Sequence, residues 1–182
     1  AAIASGEILQ FKHINDLSTS PEDYYRIIDG KTARPFASGV ACAAMVANAS
    51  QEMIDAFWGY GMELGRAFQL VDDILDLAGN EGIGKPRGTD VHEGKMTLPI
   101  IYALTMLHGG ERDHLEDVLT NFSDDRLEEL VDLLERAGSF EYARILVSNH
   151  VERALDYLSP IPDSEAKTLL EEIAMLSESR TS

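Results

Sequence analysis

One cysteine, Cys42, stands among 182 residues, so an internal disulfide is excluded and a reducing compartment is expected. Long apolar runs are missing too. The most apolar stretch, residues 39–49, is alanine-rich and far too short for a bilayer. The opening residues lack the basic, apolar and small-residue blocks of a signal peptide. A cytoplasmic location without stable membrane insertion is therefore expected. Positive charge is scarce: 15 Lys and Arg face 32 Asp and Glu, for a net charge of -17. Nucleic acid and anionic lipid would be repelled, which excludes non-specific binding to either. Residues 111–182 carry 18 acids against 7 bases, read here as a solvated acidic surface. Several chemical signatures are also wanting. There is no Walker-type phosphate loop and no nucleophile elbow, and the histidines at 13, 92, 108, 114 and 150 lack zinc spacing.

What remains is a helical pattern. At 45% hydrophobic and 26% charged the chain can bury one core, and residues 1–182 read as a single all-α domain. No stretch alternates apolar and polar residues long enough for a sheet. A first helix is expected to about Ile14. Ser20, Pro21, Glu22 and Asp23 then provide a capping serine, a proline at the first helical position and acids in the first turn. That helix should run toward Gly30, and an alanine-rich one should occupy residues 36–49. Ser50 caps a long helix reaching about Ala78. Its Met53, Phe57, Tyr60, Leu64, Phe68, Val71 and Leu75 recur at steps of four and three, which marks it as central and buried. Residues 79–95 read as a glycine-rich loop. Thr97, Leu98 and Pro99 restart a helix toward Gly109, and two or three amphipathic helices should follow.

The chemistry concentrates where that long helix ends. Asp72 and Asp76 lie one turn apart on one face, with Asp73 beside them and Gln69 one turn earlier. Gly65 and Gly61 extend the stripe backward without side chains. Carboxylates on an otherwise apolar helix are costly to desolvate unless a cation sits beside them, and clustered aspartates suit hard Mg²⁺. The following loop supplies Lys85, Arg87 and Lys95 on a flexible backbone, with Asp90 and Glu93 as further acids. Metal ligands near phosphate-binding cations describe a Mg²⁺-diphosphate site.

Taken together these segments resemble a known family. Phe68 through Asp76, then Gly84 to Asp90, then Glu93 through Pro99, look like the second aspartate-rich region of trans-isoprenyl (polyprenyl) diphosphate synthases. Gly6, Glu7 and Gln10, and Tyr24 followed by Lys31, Thr32 and Ala33, are similar to that family's preceding helices in order and spacing. The resemblance implies an incomplete helical bundle of the isoprenoid synthase type around a deep cavity, and a homodimer. It implies Mg²⁺-dependent condensation of an allylic diphosphate with isopentenyl diphosphate. It assigns metal binding to Asp72, Asp73 and Asp76, with Asp90 supporting them from behind. Lys31, Lys85 and Lys95 would hold the allylic diphosphate, and Thr32 and Gln69 would face the carbocation.

One further absence bears on activity. Such synthases use two facing aspartate motifs, and only one DDxxD occurs in these 182 residues. The nearest other string begins at Asp124, after the loop. The basic residues for isopentenyl diphosphate and those that set product length are likewise unmatched. The chain is thus expected to be a carboxy-terminal portion, inactive or nearly so alone, with apolar faces exposed. The alternative is a subunit that completes or regulates a partner synthase. A third reading, an acidic helical protein with an incidental motif, conflicts with the agreement between local and long-range features.

Overall fold

The capping signals are obeyed in the computed structural model, which describes residues 2–79 and 86–180. Helices α1 (Ala2–Lys12) and α2 (Pro21–Ile28) come first, followed by a π-helical turn (Asp29–Ala33) that leads directly into α3 (Arg34–Val46). Then come α4 (Gln51–Ala78), the single turn α5 (Thr89–His92), α6 (Leu98–Met106) and α7 (Gly110–Thr120). A 3₁₀ turn (Asp124–Arg126) precedes α8 (Leu127–Arg136), α9 (Ser139–Leu158) and α10 (Glu165–Ser179). No strand occurs among the described residues. Nor is any described helix long and apolar enough to cross a membrane.

Ser20 closes a reciprocal capping box with Asp23, and the Ser50 hydroxyl accepts from the Met53 N–H at 3.3 Å. From that cap α4 runs through the centre, packed mainly on α3 and α9. Its Tyr60, Leu70, Val71, Ile74 and Leu77 are essentially buried. Two glycines bring α4 close to the strip before it. A Cβ on Gly61 would lie 2.4 Å from Ala37 Cα, and one on Gly65 would lie 2.6 Å from Ala33 Cα. The Tyr60 hydroxyl donates to the Leu170 carbonyl at 2.8 Å and ties α10 to the same helix.

Three segments differ from expectation. The helix begun at Ser20 does not stop at Gly30. Among the described residues the positive-φ glycines are 88, 94, 109 and 138; Gly30 stays helical and buried, and the chain widens into a π turn. Lys31 and Thr32 therefore sit inside a continuous helix, not at a helix end. The expected loop contains α5. Four helices follow α6, more than the two or three anticipated, because Gly109 (φ +57°) and Gly138 (φ +74°) break the acidic region into shorter pieces.

Candidate active site

Five elements converge on a cavity of about 150 Å³. Gln10 on α1 and His13 just after it form one wall; Tyr24, Ile27 and Ile28 of α2 and Lys31 of the π turn form another. Gln69, Asp72 and Asp73 come from α4, Asp90 from α5, and Lys95, Met96 and Thr97 from the segment before α6.

Asp72, Asp73 and Asp90 each bring a carboxylate oxygen within 4.8 Å of the other two. Asp73 is buried; its Oδ2 accepts from the Tyr24 hydroxyl at 2.6 Å and its Oδ1 from Gln69 Nε2 at 2.9 Å. Burial pushes its pKa up to about 7, against those two hydrogen bonds and with help from the Asp90 and Asp72 charges. The Tyr24 phenol is raised well above its ordinary value, first by burial and then by Asp73, so it keeps its proton and donates. This donor set fits a divalent cation, because it brings three carboxylate oxygens close enough to converge on one hard ion.

Two lysines line the same cavity. Lys31 Nζ donates to Gln10 Oε1 at 2.9 Å and lies 3.7 Å from Glu7. Lys95 Nζ reaches Asp90 Oδ1 at 2.8 Å and Glu93 Oε2 at 2.6 Å. Burial lowers the Lys95 pKa, but the hydrogen bonds to Asp90 and Glu93 outweigh it and leave the ammonium above its ordinary range. Thr32 Oγ1 donates to Gln69 Oε1 at 2.8 Å, which links the π turn to the aspartate helix.

Asp76 stands apart from the acidic trio. It is buried, and its Oδ2 accepts from the Asp90 N–H at 3.1 Å, while its backbone carbonyl accepts from Gly88 N–H at 2.7 Å. Arg87 secures the same junction by donating through Nε and Nη2 to the Leu77 carbonyl, at 2.9 and 2.7 Å. Residues 87–90 are thereby held against the end of α4, where Asp90 joins Asp72 and Asp73. Lys85 and Gly84 lie outside the described residues. Sequence reasoning gave no role to His13 or to the Tyr24 hydroxyl; the one available signal was Tyr24 preceding Lys31 by two helical turns.

The family model described as polyprenyl synthetase matches residues 1–134. The chain belongs to the polyprenyl synthetase family. Among its relatives, octaprenyl diphosphate synthase of Haemophilus influenzae is 36% identical over 182 residues, covering 98% of this chain and 55% of the relative. Geranylfarnesyl diphosphate synthase of Natronomonas pharaonis is 35% identical over 177 residues, covering 94% and 50%. Solved polyprenyl synthases share the all-helical isoprenoid synthase fold. A decaprenyl diphosphate synthase from Rhodobacter capsulatus superposes with TM-score 0.92 at 32% identity, covering 100% of this chain and 57% of that one. The polyprenyl synthase of Caulobacter crescentus, complexed with calcium and isoprenyl diphosphate, gives TM-score 0.92 at 32% identity, with 100% and 56% covered. The chain spans about half the length of the curated relatives it matches.

Proposed function

We propose that this chain forms the allylic-diphosphate half of a Mg²⁺-dependent prenyl transferase cavity. The observation that carries the reading is one cavity lined both by the acidic trio of Asp72, Asp73 and Asp90 and by Lys31 and Lys95. Asp72 and Asp73 would hold Mg²⁺, with Asp90 completing the cluster. Asp76 would act from behind, by fixing Asp90. When bound, Mg²⁺ would supply positive charge to the diphosphate oxygens. Lys31 and Lys95, and Lys85 by the same chemistry, would stabilise charge building on the departing pyrophosphate. The bond from allylic carbon to oxygen would break with departure of pyrophosphate and leave a carbocation, toward which Gln69, hydrogen-bonded by Thr32, would present its amide oxygen. The double bond of isopentenyl diphosphate attacks that carbon, and loss of a proton restores a double bond in the lengthened product.

Family membership supports this chemistry, and a homodimeric cytoplasmic enzyme belongs to the same reading. With a single DDxxD, these 182 residues alone should bind diphosphate yet turn over little, since half a clamp positions two substrates poorly. Calorimetry with inorganic pyrophosphate, with and without Mg²⁺, tests the site. Binding should need Mg²⁺ and fall at least tenfold in Asp72→Ala. Unchanged binding in that variant would overturn the reading.

A further inference from the structure

A chain of buried and half-buried polar groups that line none of the cavity runs from the π turn through α4 to α9, and the proposed chemistry does not use it. Asp29, the first residue of the turn, is clamped by Arg66 of α4 through two parallel bonds, Nε to Oδ1 at 2.7 Å and Nη2 to Oδ2 at 2.8 Å. Arg66 Nη1 also donates to Glu63 Oε1 at 2.6 Å. The other Glu63 oxygen lies 2.6 Å from His150 Nδ1 on α9, and His150 Nε2 lies 3.0 Å from the Tyr25 hydroxyl. Tyr25 stands one helical turn before Asp29, so the chain of contacts returns to the element where it began. Three helices are joined by it: α2 with its π turn, α4 and α9.

The turn so held is unusual. The Arg34 N–H reaches back to the Asp29 carbonyl, five residues earlier, where an α-helix would bond four residues back. One extra residue in a turn rotates everything after it by about 100° relative to a regular helix. Lys31 and Thr32 lie inside that turn, so relaxation to ordinary α geometry would shift both relative to α2 while rotating α3. The wider turn also presses on its neighbours. A Cβ on Gly6 would come within 2.7 Å of Lys31 N, as one on Gly65 would of Ala33 Cα at 2.6 Å. A bidentate Arg–carboxylate pair fixes orientation as well as distance, which a single contact does not.

We propose that the chain Tyr25–His150–Glu63–Arg66–Asp29 is a positioning device that sets the register of the π turn and thereby aims Lys31 into the diphosphate cavity and Thr32 onto Gln69. None of its five members need touch substrate. The inference rests on the diphosphate reading of the site.

Electrostatics alone and positioning predict opposite signs for Asp29→Asn. Removing a negative charge near an anion site should tighten anion binding. Loss of register should weaken it. The experiment is calorimetric titration of Mg²⁺ and inorganic pyrophosphate into the wild-type chain, Asp29→Asn, Lys31→Ala and the double variant, with helicity and melting temperature recorded for each. The expected result is a roughly tenfold weaker affinity in Asp29→Asn, and a double variant no weaker than Lys31→Ala alone, because the lysine is already misplaced. Tyr25→Phe, which removes one hydroxyl at the other end of the chain, should shift affinity the same way by a smaller factor, and it serves if Asp29→Asn does not fold. Unchanged or tighter binding in Asp29→Asn, or, if that variant does not fold, in Tyr25→Phe, overturns the proposal, as do losses that simply add with Lys31→Ala. If Lys31→Ala itself binds normally, the diphosphate reading falls and this one falls with it.

Discussion

Single side chains around the aspartates do two separate jobs, and substitutions can tell them apart. Tyr24 supplies a donor to the buried Asp73 carboxylate, an acceptor that is costly to leave unsatisfied. Tyr24→Phe should therefore lower stability by roughly 1–3 kcal/mol in urea denaturation, with the helical spectrum unchanged. Glu63 belongs to the supporting layer. Burial pushes its pKa up, but the His150 hydrogen bond and the His150, Arg66 and Arg153 charges outweigh that and hold it below its ordinary value. A carboxylate depressed in the folded state adds stability above its unfolded pKa, and that stability is lost as pH falls through the folded value. The advantage of wild type over Glu63→Gln should thus be full above the ordinary value of 4.5 and shrink progressively at lower pH. Melting temperatures from pH 7 to pH 3 would check this, and a difference that does not narrow would contradict it. How far these roles could be read from sequence depended on distance along the chain. Asp72 and Asp73 were legible as neighbours on a helix. Asp90 was foreseen only as a support, because its place beside them depends on Asp76 catching its N–H from fourteen residues away.

At the scale of elements, close approach between helices decides which glycines matter. Gly65 meets Ala33 Cα with no room for a methyl, so Gly65→Ala should force α4 from the π turn and cost about 1–3 kcal/mol. Gly39 in α3 is exposed, with nothing within 4 Å of a built Cβ, and Gly39→Ala should instead stabilise by about 1 kcal/mol. Parallel denaturant titrations of both variants would show opposite shifts in midpoint. The same contrast explains what the sequence made legible. Helix α4 could be placed from Ser50 to Ala78 because a cap and a long apolar stripe are local signals. The π turn could not, since nothing in Asp29–Ala33 distinguishes it from α-helix. Its partners are remote in sequence: Arg66, thirty-seven residues from Asp29, and the close-packed backbone at Gly6 and Gly65. Helices α7 and α9 follow glycines at 109 and 138 that read equally well as loop.

At the scale of the whole molecule, a cavity shared by α1, α2, the π turn, α4 and the loop carrying Asp90 makes ligand binding and folding one linked equilibrium. Neither Mg²⁺ nor pyrophosphate alone satisfies both walls. The acids repel a bare anion, and Lys31 and Lys95 gain nothing from a bare cation. Together they should bind only the folded chain and stabilise it by about 2.7 kcal/mol at a hundredfold excess over Kd. For a chain of this length that corresponds to a rise of about 5–10 °C in Tm. Differential scanning fluorimetry should show small shifts with either component, a large one with both, and reversal on chelation. Asp72→Ala should lose most of the joint shift while keeping its own Tm near wild type, because Asp72 is the most exposed of the three acids. A joint shift equal to the sum of the separate ones would mean that anion and cation occupy independent places, and the acidic trio and the lysines would then not act as one site.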